Sequence, residues 1–100
     1  DVASRARPTD VKEMLELALK GSFEEARKKL QDMLLKQGLS GTDIVAEIHK
    51  QIYSLDISEE DKVWLVEKCG EFEYRLNEGS SELIQLEALL AQFLLLRRKR

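Results

Sequence analysis

The sequence predicts an all-α protein, folded as a five-helix bundle of antiparallel helical hairpins. Three observations lead to this fold class. The 100 residues include only one proline and five glycines, which leaves little room for β-turns. Apolar residues recur every three or four positions, which is the spacing of one helix face. Serine or threonine precedes these stretches and glycine follows several of them, as at helix starts and ends.

The chain opens without apolar periodicity, so residues 1–8 are predicted to be a linker from an upstream domain. Pro8 disfavours helix in the residue before it. Thr9 is the predicted cap of a first helix over residues 10–20, within a helical domain of residues 9–96. Since the first methionine is Met14, we expect this chain to be a piece of a longer protein.

Serine caps predict the next two helices. Ser22 precedes the second helix, with Glu25 at the capping-box position, and Gly38 ends it. Its apolar stripe consists of Phe23, Ala26, Leu30, Met33 and Leu34. Ser40 and Asp43 repeat the same spacing and predict a third helix that runs to about residue 55.

The fourth predicted helix covers residues 59–78, with Ser58 as its cap and Asp61 three positions later. It carries two apolar stripes on different sides, which are Leu65, Cys69, Phe72 and Leu76, and Val63, Val66, Gly70 and Tyr74. A glycine inside a helix costs about 1 kcal/mol relative to alanine. We therefore expect a neighbouring helix to approach closely at Gly70.

The fifth predicted helix, residues 81–96, is the centre of the bundle. It is apolar on two sides, with one arc of Leu83, Leu86, Leu90, Phe93 and Leu94 and a second of Ile84, Ala88, Ala91 and Leu95. Such a helix must be covered on both sides, by its own domain alone or also by another chain. Six residues of the last two helices are predicted to contact a neighbouring subunit: Trp64, Tyr74, Arg75, Leu89, Phe93 and Leu96.

Few residues point to chemistry. A single cysteine, Cys69, excludes an intramolecular disulfide and is predicted to be a small buried hydrophobe. A single histidine, His49, excludes two-histidine zinc motifs and is predicted to lie at the surface or an interface. The sequence has no phosphate loop, nucleophile elbow or metal-loop pattern. The domain is therefore predicted to be non-catalytic, with no cofactor and no metal of its own.

Charge is concentrated at the end of the chain. The net charge is −3, but residues 97–100 hold four cations, and the rest has 12 basic against 19 acidic residues. An acidic body is a poor general nucleic-acid surface. The basic tail is either solvated or contacts phosphate through Arg97, Arg98, Lys99 and Arg100. No apolar run reaches the length of a membrane span, so we expect a cytoplasmic protein without membrane contact.

Several stretches in the same order carry a family resemblance: residues 14–26 (MLELALKGSFEEA), 38–41, 48–49, 55–57, 75–76, 78–79 and 84–89. Together they resemble the C-terminal domain of the archaeal replication factor C small subunit, over about residues 9–94. The sequence departs from that pattern at Asn77 and at residues 80–82, where the cap chemistry is retained.

The resemblance implies a clamp-loader collar domain, which follows an AAA+ ATPase module and packs beside its neighbours in a ring-like spiral. It implies other clamp-loader subunits as partners, identical or paralogous, so a homo-oligomer is expected. ATP, magnesium, the sliding clamp and primer-template DNA are implied for the parent protein or complex, which would be nucleoid-associated. Two alternatives remain: an adaptor that holds a partner helix or peptide between helices four and five, and a nucleic-acid-binding bundle that uses the basic tail.

Overall fold

The computed structural model describes residues 6–99, and the side chains of residues 6–96. This part of the chain folds into five α-helices and contains no β-strand, which confirms the predicted fold class. The helices are α1 (Pro8–Lys20), α2 (Phe23–Gln31), α3 (Gly41–Ile52), α4 (Glu59–Asn77) and α5 (Glu82–Lys99), and a π-helical turn, Asp32–Lys36, extends α2.

Helix α1 begins two residues before the predicted start. Pro8 occupies its first turn, where a missing backbone N–H costs nothing, and Arg7 takes the capping position. Thr9 therefore lies inside the helix, and its prediction as the cap was wrong. The helix takes in the last residue of the predicted linker, whose residues 1–5 lie outside the described part of the chain.

The predicted capping box at the start of α2 does not form, because the preceding turn determines the backbone there. Gly21 closes α1 in the left-handed conformation, with φ of 99°. The Ser22 N–H then donates to the Leu17 carbonyl at 2.8 Å, which holds Ser22 at φ −93° and ψ 68°, outside the extended region that caps use. The Ser22 side chain makes no cap hydrogen bond.

The caps of α3 and α4 form as predicted. The Ser40 hydroxyl accepts from the Asp43 N–H at 3.1 Å, and the Ser58 hydroxyl accepts from the Asp61 N–H at the same distance. Helix α3 ends at Ile52, three residues before the predicted end. The end of α5 also differs, because its backbone stays helical as far as Lys99.

Helix α5 is the central element, as predicted, because it packs against all four other helices. Its core-facing residues are Leu86, Leu89, Leu90, Phe93 and Leu96, all buried. Two polar contacts fix it in place: the Glu82 carboxylate accepts from the Gly41 N–H at 2.8 Å, and the Arg27 guanidinium donates to Glu87 at 2.8 Å. The start of α5 therefore caps α3, and its middle is tied to α2.

None of the helices between residues 6 and 99 combines the length and hydrophobicity that a membrane span requires.

Candidate subunit interface

One apolar side of α4 is left uncovered by the part of the chain that the structure describes. Its residues recur every three or four positions and therefore share one side of the helix. Val63 is 63% exposed and Tyr74 is 66% exposed, whereas Val66 is half-buried and Gly70 bare. We call these four residues the α4 surface. The other predicted stripe of α4, which includes Leu65, faces the core.

The α4 surface borders an open cleft against α3. Val66 and Gly70 line it from α4, and Ala46 and His49 lie across it on α3. A Cβ atom added at Gly70 would meet nothing within 4 Å. No helix of the described chain approaches Gly70 closely, so the expected contact is not made within residues 6–96. The glycine leaves a bare stretch of helix exposed.

Acidic side chains flank the α4 surface. Glu67 and Glu73 are exposed on this side, and no ion pair joins them to a cation among residues 6–96. The ion pairs of α4 lie on its other flank, where Glu71 contacts Lys68 at 3.5 Å and Arg75 at 3.8 Å. The α4 surface is therefore an apolar stripe with an acidic rim.

The α3 wall of the cleft adds mixed polar groups. Lys50 pairs with Glu47 at 3.9 Å, and the His49 ring meets Tyr53 edge to face, with Nε2 at 3.3 Å from the Tyr53 hydroxyl. The Cys69 thiol also borders the cleft, but burial raises its pKa to about 12. A thiol that stays protonated is a poor nucleophile. The cleft is thus suited to contact rather than to covalent chemistry.

Helix α5 presents a second apolar face to solvent. Ile84 is 65% exposed and Leu95 is 41% exposed, with the half-buried Ala88 and Ala91 between them. We call these four residues the α5 surface. The prediction that α5 is apolar on two sides is confirmed, since this face lies opposite the core-facing side.

The six predicted interface residues fall into two groups. Trp64 is half-buried beneath the Lys68 ammonium, at 4.5 Å from the ring centre, and Tyr74 belongs to the α4 surface. Arg75 is exposed, with its guanidinium 5.0 Å from the Phe72 ring centre. These three residues are accessible to a neighbour, and their role in an interface stays a prediction.

The remaining three predicted interface residues lie inside the domain. Leu89 and Phe93 are 0% exposed and Leu96 is 2% exposed, so they offer no surface to a neighbouring subunit. Their contacts are made within the chain's own core. Sequence reasoning missed Val63, Ile84 and Leu95 as contact candidates, although it had placed all three on the correct helix stripes.

The predicted phosphate contacts, residues 97–100, lie outside the described side chains. Among the side chains that are described, no three of histidine, cysteine, aspartate or glutamate come together as a metal site.

Comparison with known proteins identifies relatives over almost the whole chain. Residues 6–92 match the family model of the Replication factor C C-terminal domain. The chain is similar to the Replication factor C small subunit of Pyrococcus horikoshii, with 58% identity over 99% of this chain and 12% of that protein. The corresponding protein of Thermococcus kodakarensis is 60% identical over 92% of this chain and 11% of its own length.

A more distant relative has the same name. The Replication factor C small subunit of Methanococcus maripaludis strain C6 is 50% identical over 91% of this chain and 29% of that protein. The chain therefore spans less than a third of the length of each of these relatives.

Proposed function

The chain belongs to the Replication factor C C-terminal domain family, and on that premise we propose that it joins clamp-loader small subunits to one another. It would form the collar that holds AAA+ ATPase subunits together while the complex loads a sliding clamp onto primed DNA. Its partners would be other small subunits, identical or paralogous.

The observation that carries this proposal is the pair of uncovered apolar helix faces. The α4 surface and the α5 surface each retain two large apolar side chains that solvent reaches. Contiguous exposed apolar faces of this kind are typical of protein contact sites. The half-buried Trp64 and the exposed Arg75 are residue types enriched in interfaces, and both lie on α4.

The domain's own part would be structural. We assign no catalytic step to it, because the Cys69 thiol is held protonated and His49 is engaged with Tyr53 at the surface. ATP and magnesium would bind in the ATPase module of the parent protein, which would also make the contacts with clamp and DNA. A place in the cytoplasm, at the nucleoid, follows from that role.

Sedimentation velocity of the 100-residue chain over a wide range of concentration and at two salt concentrations tests the proposal. We expect a discrete oligomer that forms as the concentration rises and is disrupted by Tyr74→Asp. Leu35→Asp is the matched control, because Leu35 is also exposed but lies on the π-helical turn and belongs to neither surface. A chain that sediments as a monomer at every concentration would refute self-sufficient assembly.

A helical adaptor remains the alternative function. It was predicted to hold its partner between helices four and five, but the cleft that borders the α4 surface is formed with α3. A monomer that binds an isolated amphipathic helix in this cleft would support the adaptor over the collar.

The basic tail offers a separate test of nucleic-acid binding. Deleting residues 97–100 should abolish any affinity for duplex DNA if the tail alone carries it, and that affinity should fall steeply with salt. Unchanged duplex affinity after the deletion would eliminate the tail as a DNA contact.

A further inference from the structure

We infer that helix α3 holds the chain rigidly at the point where it enters the domain, so that no hinge lies between Ala6 and α1. Four residues make this contact, Ala6 and Pro8 on the entering chain and Glu47 and Gln51 on α3, and we call them the entry joint. The direction in which the backbone reaches α1 is then set by α3. This inference goes beyond the proposed function, because it concerns the domain's connection along its own chain and not its contacts with neighbours.

Burial of Ala6 is the first restraint on the entering chain. Ala6 lies two residues before α1, and its exposed fraction is only 8%. It belongs to the same apolar core as Val11 and Ile48. Chain segments at the edge of a domain are usually poorly ordered unless such contacts tie them down. The core of the domain therefore already includes the residue at which the described chain begins.

A side chain of α3 supplies the second restraint. Gln51 Nε2 donates to the Pro8 carbonyl at 3.1 Å and to Glu47 Oε2 at 3.0 Å. Both neighbours are acceptors, so the two N–H groups of the amide are used and its orientation is fixed. Pro8 and Gln51 are 43 positions apart in the sequence, so their hydrogen bond joins two helices. It holds the first turn of α1 against the last turn of α3.

The backbone at the entry joint is stiff even without these contacts. The ring of Pro8 fixes its own φ near −65° and restricts the preceding residue to extended conformations. Arg7 has φ of −76° and ψ of 130°, which lies in that extended region. Few backbone conformations are therefore available to residues 7 and 8, and the tertiary contacts of the entry joint select one of them.

Helix α3 forms the whole opposite wall of the cleft beside the entry joint. Residues 6–8 line one side of this open cleft, and its other lining residues all belong to α3, namely Asp43, Ala46, Glu47 and Lys50. Ala46 and Lys50 also line the cleft that borders the α4 surface. The entry joint therefore ties the incoming chain to the same helix that forms one wall of that second cleft.

Backbone ¹⁵N relaxation of the 100-residue chain tests the rigidity of the entry joint. We expect the amides of Ala6 and Arg7 to have order parameters near those within α1, at about 0.85, which is typical of rigid backbone. Values below about 0.6 at both residues would place a hinge inside the joint and overturn the inference.

Removal of the Gln51 donor tests the role of α3. Gln51→Met retains a long side chain of similar helix propensity but cannot donate a hydrogen bond. The Val11 N–H, which donates to the Arg7 carbonyl at 3.1 Å, should then exchange with solvent about fivefold faster, the factor that one net hydrogen bond contributes. The Ala18 amide, near the other end of α1, should be unchanged. An equal rise at Ala18 would mean that the bond stabilises the whole domain, which would overturn its role in the joint.

Gln37→Met is the matched control. Gln37 Nε2 also donates an exposed hydrogen bond, to Asp32 at 3.0 Å, but this bond lies within the π-helical turn and its end. The control should leave exchange at Val11 unchanged, and a rise equal to that of Gln51→Met would overturn the inference.

The outcomes separate the entry joint from the proposed function. A mobile Ala6 in a chain that sediments as an oligomer overturns the joint and leaves the proposed assembly standing. An ordered Ala6 in a chain that stays monomeric supports the joint and refutes self-sufficient assembly.

Discussion

Replacing Gly70 with alanine should stabilise the isolated domain, because no described residue packs against this glycine. Its backbone is helical, and the glycines with positive φ in the described chain are Gly21, Gly38 and Gly79. A Cβ atom at residue 70 would meet nothing within 4 Å, so no steric cost opposes the gain in helix propensity.

The magnitude follows from propensity alone. Alanine is favoured over glycine in a helix interior by about 0.8–1.0 kcal/mol. For a domain of about 60–100 residues, a change of 1 kcal/mol shifts Tm by roughly 4–8 °C. We therefore expect Gly70→Ala to raise Tm by several degrees. Circular dichroism at 222 nm, under heat and in urea, measures this at concentrations low enough to keep mass action from contributing.

Gly79→Ala is the matched control. Its Cβ would also meet nothing within 4 Å, but Gly79 has φ of 96°, a conformation that costs an L-residue roughly 1–2 kcal/mol. Both substitutions add one methyl group in open surroundings, and they differ in backbone conformation. We therefore expect Gly70→Ala to raise stability and Gly79→Ala to lower it. A loss of stability in Gly70→Ala would mean that the α4 surface is packed against another part of the chain, which would contradict its assignment as a free face.

Three further predictions concern the core, the α3 cap and pH. Phe93→Ala should lower the free energy of unfolding in urea by about 3–5 kcal/mol, whereas Tyr74→Ala should change it by no more than about 0.5 kcal/mol. Equal losses would contradict the burial of Phe93 and the exposure of Tyr74. Glu82→Ala should lower the free energy of unfolding by about 1 kcal/mol, because the Gly41 N–H loses its cap. A Cβ at residue 41 would lie 3.2 Å from the Glu82 side chain, so the effects of Gly41→Ala and Glu82→Ala should not add in a double-mutant cycle. Burial raises the pKa of the Cys69 thiol from 9.0 to about 12, so between these pH values only the unfolded chain loses this proton. The free energy of unfolding should therefore fall as pH rises above 9, and it should fall less steeply for the Cys69→Ala variant.

The sequence predicts the start of a helix correctly where the residues that determine it lie within a few positions of one another. The caps at Ser40 and Ser58 each depend on one hydroxyl and one backbone N–H three residues later. The predicted cap at Ser22 does not form, because the turn at Gly21 and the hydrogen bond from the Ser22 N–H to Leu17 determine the backbone angles of Ser22. The π-helical turn Asp32–Lys36 was not predicted, because Met33 and Leu34 follow Leu30 at the three- and four-residue spacing of an ordinary α-helix.

The candidate site was only partly predictable. Periodicity correctly divided α4 and α5 into two apolar sides each, but it does not determine which side the rest of the chain covers. Large aromatic and leucine side chains were chosen as contacts, and Phe93 and Leu89 proved to be buried. The exposed sides carry smaller or fewer apolar residues, such as Val63, which single-residue criteria rank low.

The burial of Leu89, Phe93 and Leu96 also constrains how the domain can assemble. These residues complete a core that includes every helix of the described chain, so the domain has the contacts to fold before it meets a partner. The surfaces left for assembly are short apolar stripes, and the α4 surface has an acidic rim. They resemble the contact between folded subunits rather than the large apolar interface of an obligate dimer. Association through them should therefore depend on concentration and salt. Such subunits would be held together most firmly when other modules of the parent protein raise their local concentration.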